Sequence, residues 1–130
     1  MRFVRIGMAA VAAGSWLIAL PAGAESLIAM TDMVAPEAPG AHVMTFYVEL
    51  APGEEVPMHS HGGTGVVVVV EGSLKVRDLD GTEHDFKAGD NFSEPSGAVH
   101  SAVITSSEPA KLIWTIVLPD GAELQTDYKG

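Results

Sequence analysis

Residues 66–70 are five consecutive valines, and no other stretch of the chain narrows the fold as much. A β-branched side chain loses rotamer freedom in a helix and packs well on a pleated surface. Five in a row specify a strand, and because both faces are apolar the strand is expected to be buried. The neighbouring segments extend the pattern. Residues 42–50 alternate, with Val43, Thr45 and Tyr47 on one face and Met44, Phe46 and Val48 on the other. Leu74 and Val76 alternate with Lys75 and Arg77, Asp80-Gly81 is a hairpin turn, and residues 82–86 return. Residues 98–105 and 111–118 read as two more strands, while Ala51-Pro52-Gly53, Glu71-Gly72, Ala88-Gly89-Asp90 and residues 106–109 read as turns. With no amphipathic helix and about eight short strands at turn spacings, the chain is all-β, a small antiparallel barrel or jelly roll.

The two ends differ from this core. Arg2 and Arg5 precede an apolar stretch at residues 6–20, and Ala22-Gly23-Ala24 is a small-residue cleavage site. That is the pattern of a secretory signal peptide over residues 1–24, which places the mature protein in the periplasm or outside the cell. Residues 25–40 are expected as an N-terminal arm, 41–119 as the barrel and 120–130 as a polar tail that covers a strand edge or frays. Removal of the leader leaves five basic residues against seventeen acidic ones, a net charge of −12. Such a surface repels nucleic acid and anionic lipid, so neither is an expected partner. With no cysteine, the domain is held by its core and any metal ligands are imidazole, carboxylate or water.

Three histidines carry the chemistry. His59 and His61 are two residues apart, so an extended chain sends both to one face. If His100 faces them from a neighbouring strand, three imidazoles converge on a metal site.

The stretches around these residues resemble the cupin family. Gly53, His59, His61 and Gly72 fit its first motif, and Gly89, Pro95, Gly97 and His100 fit its second, in the right order with a hairpin between them. The resemblance implies a double-stranded β-helix, the cupin barrel, with one divalent transition metal inside its mouth. It carries over His59, His61 and His100 as ligands. The family's glutamate ligand falls at Gly65 and its asparagine at Ile104, so neither transfers. Three-histidine sites occur in the family, notably in thiol dioxygenases and a diketone-cleaving enzyme. Small cupins often dimerise through their strands, and this chain is compatible with a homodimer.

Three neutral imidazoles leave positions open on the ion, and without a carboxylate the ion keeps its full charge and attracts anions. The ligands alone favour copper, nickel or zinc, while iron or manganese would be retained through geometry and supply. Glu94, just before Pro95, is the candidate catalytic residue: turned inward it handles a proton or replaces the lost ligand, and turned outward it caps a turn. Gly65 either enlarges a cavity or lets a strand bend, and a glutamate there would restore the fourth ligand. Met44, Phe46, Met58 and Trp114 line a pocket or fill ordinary core, and His42 and His84 read as surface histidines. The function this supports is a metal-dependent, dioxygenase-type oxidoreductase acting on a small organic substrate. The alternatives are a non-catalytic module that binds a small ligand or metal, and an isomerase or lyase in which the metal polarises a carbonyl.

Overall fold

The computed structural model describes residues 26–130. The expected leader at 1–24 lies outside the described residues. Among those described, every regular element is a strand, and ten strands form two antiparallel five-stranded sheets. The first sheet orders β1 (Ser26–Val34), β2 (Ala41–Leu50), β9 (Ala110–Pro119), β4 (Thr64–Glu71) and β7 (Asn91–Glu94). The second orders β10 (Thr126–Asp127), β3 (Glu55–Ser60), β8 (His100–Ile104), β5 (Ser73–Asp78) and β6 (Glu83–Lys87). This is the expected all-β double-stranded β-helix. Consecutive strands mostly switch sheets, so the inner faces of both sheets contribute to one interior.

Alternation decides what enters that interior. Met44, Phe46 and Leu50 of β2, Val67 and Val69 of β4, Leu74 and Val76 of β5 and Ile116 of β9 are all buried. The valine run is a strand as expected, but only one of its faces is covered. Val67 and Val69 point inward, whereas Val66, Val68 and Val70 are exposed. The period of two puts alternate valines on opposite faces, and the outer face of this sheet meets no other layer of the described chain.

Two terminal segments are also drawn into the sheets. Inside the expected arm, β1 pairs with β2 over nearly its whole length. In the expected tail, Thr126 and Asp127 pair with Ser60 and His59 on the open edge of β3. The Tyr128 amide also donates to the Met58 carbonyl at 3.0 Å. Edge coverage of this kind leaves fewer unpaired backbone groups beside the histidines.

Candidate metal centre

The register of β3 against β8 builds the site. Val56 faces Ala102 and His59 faces His100, so three steps on β3 match two on β8. The extra residue is a β-bulge at Pro57-Met58, where proline has no N–H to give the ladder. The bulge turns His59 to face His100 across the pair. His61 follows directly after β3, and the Gly97 amide donates to its carbonyl at 2.9 Å. Gly97 adopts φ of +77° in the turn after Pro95, a conformation glycine takes without steric penalty, and the chain then enters β8 at His100.

The three imidazoles are 5–6 % exposed, with ring centroids 4.5–5.4 Å apart. Each Nδ1 faces a backbone carbonyl: Pro57 at 2.7 Å for His59, Leu124 at 2.8 Å for His61 and Ala98 at 3.3 Å for His100. A carbonyl only accepts, so each Nδ1 carries the proton and each Nε2 presents a lone pair. Nε2 of His59 and of His61 are 3.1 Å apart. Two lone pairs that close, in a buried space, call for a cation between them. Such anchoring of the outer ring nitrogen is how proteins orient metal-binding histidines. His59, His61 and His100 form the group among the described residues that could hold an ion, with ligand atoms within 4.8 Å of one another.

Glu94 lies at the end of β7, on the opposite sheet, and is only 9 % exposed. Its carboxylate turns inward, with Oε1 3.1 Å from Nε2 of His100 and Oε2 3.5 Å from Nε2 of His61. Burial pushes His59 down to about 4 and holds His61 below its ordinary value, so both are neutral at pH 7. For His100, burial lowers the pKa but the Glu94 carboxylate outweighs it, leaving a net rise. For Glu94, burial raises the pKa but His100 and His61 outweigh that, leaving a net fall and an ionised carboxylate.

Gly65 faces Glu94 across the β4–β7 ladder. A Cβ at 65 would stand 2.6 Å from Nε1 of Trp114, 3.3 Å from the Thr115 carbonyl and 3.4 Å from Oε2 of Glu94. The space is therefore neither an enlarged cavity nor room for a glutamate. Trp114 fills it, packed on His61 at 4.6 Å and on Phe46 at 5.0 Å between ring centroids. A glutamate at 65 would collide with the indole and add a second carboxylate beside Glu94, so the expected gain of a ligand meets a steric and electrostatic penalty.

A cavity of about 120 Å3 lies inside the barrel, with the histidines and Glu94 in its wall. Phe46 and Trp114 line it with Leu74 and Phe92, as do Leu124 and Gln125 of the tail. Met44 is buried in a separate cluster with Ile116 and Leu118, and Met58 lines an outer groove with Lys75 and Arg77. His42 sits outside beside Asp32 and Asp120, and His84 beside Asp78. Sequence reasoning missed the tail's part in the site, above all the Leu124 carbonyl that orients His61. A backbone carbonyl carries no residue-type signal, so nothing in the sequence marks it.

The family model described as the cupin domain matches residues 46–116. No curated protein matches the chain. Several solved structures do. Oxalate decarboxylase from Bacillus subtilis superposes with a TM-score of 0.61 at 21% identity, over 75% of this chain and 27% of that one. The chain thus spans about a quarter of that enzyme's length. A cupin 2 domain-containing protein from Halorhodospira halophila gives 0.57 at 22% identity, over 78% and 70% of the two chains. A predicted oxalate decarboxylase from Thermotoga maritima gives 0.55 at 27% identity, over 68% and 78%.

Proposed function

The chain belongs to the cupin domain family, and we propose that it is an exported cupin that holds one divalent transition metal on His59, His61 and His100 and acts as a dioxygenase-type oxidoreductase on a small organic substrate. The observation that carries the metal site is the anchoring of all three Nδ1 atoms on backbone carbonyls, which leaves three Nε2 lone pairs facing one another. The donor set fits iron, manganese, copper, nickel or zinc. When bound, the metal supplies a Lewis acid and, for a redox-active ion, a partner for dioxygen.

The chain's own residues define what binds. The cavity, about 120 Å3, is comparable to the roughly 150 Å3 apolar cavity that binds benzene in another protein, so the part of a substrate that reaches the histidines is small. Beyond the histidines and Glu94, the polar groups in its lining are Gln125 and the buried, unpaired indole N–H of Trp114, and among the described residues no Lys or Arg lines it. A dicarboxylate such as oxalate would find no fixed positive side chain there. This favours a substrate with an apolar body and one or two oxygen donors, with Glu94 as the group within reach to hold a proton. The same sparse lining favours the second reading, a non-catalytic module that binds a metal or small ligand.

Elemental analysis of the mature protein, taken from the periplasm without a metal-binding tag, is the first test. One equivalent of a single transition metal supports the site, and oxygen uptake with small enol or ketone substrates then tests the enzyme. Absence of metal, with none taken up on reconstitution, rejects the metal reading. Full metal with tight ligand binding and no turnover favours the binding module.

A further inference from the structure

We propose that Glu94 is the fourth metal ligand, supplied from β7 because β4 has no room for a side chain at Gly65. The inference rests on the three-histidine reading and goes beyond it. Residues paired directly across an antiparallel ladder project to the same face. Gly65 and Glu94 are such a pair, so a carboxylate on β7 reaches the space that a β4 side chain would enter. Trp114 closes the β4 route, since its Nε1 stands 2.6 Å from where a Cβ would be.

Three further observations converge on Glu94. Its carboxylate is almost fully buried, and among the described residues no Lys or Arg lines the cavity beside it. A carboxyl group in such a place requires polar or cationic partners. Its Oε2 and the Nε2 of His100 have no hydrogen-bond partner, although Oε1 is only 3.1 Å from that Nε2. The pair is close but not aligned, as expected of two ligands directed at a third centre. The carboxylate also lies beside two of the three imidazoles, with Oε1 3.1 Å from Nε2 of His100 and Oε2 3.5 Å from Nε2 of His61. The three histidines alone form the compact group of ligand atoms, so a turn of the Glu94 side chain would bring one of its oxygens onto an ion they hold. A carboxylate ligand removes one unit of the ion's charge, so the site attracts anions less than three imidazoles alone would. That agrees with a cavity lined by apolar groups.

The test compares cobalt(II) binding by wild type, Glu94→Gln, Glu94→Ala and His61→Ala, using competition with a chromophoric chelator and the visible absorption of the bound ion. Glu94→Gln keeps the shape and removes the charge. It is expected to weaken cobalt binding by at least about tenfold and to change the visible bands, and acetate is expected to restore binding to Glu94→Ala. In the unmutated protein, metal loading is expected to shift a carboxylate band in the difference infrared spectrum, a readout that needs no variant to fold. Unchanged affinity and bands in Glu94→Gln, with metal lost from His61→Ala, overturn the ligand role and leave the three-histidine site standing. An unshifted carboxylate band in metal-loaded wild type does the same. Failure of wild type to bind cobalt, nickel or zinc overturns both readings together.

Discussion

Replacing Gly65 with alanine tests the packing that sets the site's layout. Gly65 is buried in β4 and is not among the glycines with positive φ, so alanine fits the backbone. In a strand interior the exchange by itself would gain about 0.5–1 kcal/mol. The new methyl, however, would stand 2.6 Å from Nε1 of Trp114, about 1 Å inside an ordinary contact distance. The indole cannot easily yield, because it packs on both His61 and Phe46. Forcing an extra methyl into a filled core costs about 1–3 kcal/mol. The second effect wins on magnitude, for a net loss of up to about 2.5 kcal/mol, seen as a fall in Tm of several degrees. The assay is thermal and urea unfolding of the metal-free protein, repeated in a Trp114→Phe background. There the indole nitrogen is gone, and the alanine should be neutral or stabilising. A Gly65→Ala variant more stable than wild type, or an equal loss in both backgrounds, refutes the reasoning.

Further expectations follow from the same geometry. His59 is held near 4 against an ordinary 6.5, so the unfolded chain binds the extra proton. Stability of the metal-free protein should be full above about 6.5 and fall as pH drops toward 4, by on the order of 3 kcal/mol from this group. His61 acts in the same direction. His100, held above its ordinary value by Glu94, opposes it, because its contribution is present below 6.5 and lost as pH rises. Unfolding midpoints measured from pH 8 to 4 should slope downward with acid, less steeply in His59→Asn, and an identical slope in that variant contradicts the assignment. Truncation after Pro119 removes the Leu124 carbonyl from His61 and should weaken metal binding about 10–100-fold; chelator competition would show it, and unchanged affinity would mean the tail does not orient the ring. His100→Ala should abolish stoichiometric metal binding, and full occupancy by elemental analysis would remove His100 from the ligand set.

How much of this was legible in the chain depends on the range of the interaction. A period of two assigns each side chain to a face without knowledge of the partner strand, which is why Phe46 and Met44 could be placed opposite Tyr47 before any fold was known. The two-residue spacing of His59 and His61, and the glycines and Pro95 around His100, are equally local. What the sequence determined by itself was therefore the all-β class, the turn positions and three histidines fit to bind a metal. Only the tertiary structure decided that Val66, Val68 and Val70 stay outside, since coverage depends on whether another layer arrives. It also decided the bulge register that faces His59 with His100, the tail strand that anchors His61, and the Trp114 indole that occupies the place of a β4 side chain. Each brings together residues far apart in the chain, and their encounter is fixed by close packing, which no local pattern encodes. The position of Glu94 follows from that packing: with the indole against Gly65, the carboxylate enters the interior from the strand across the ladder.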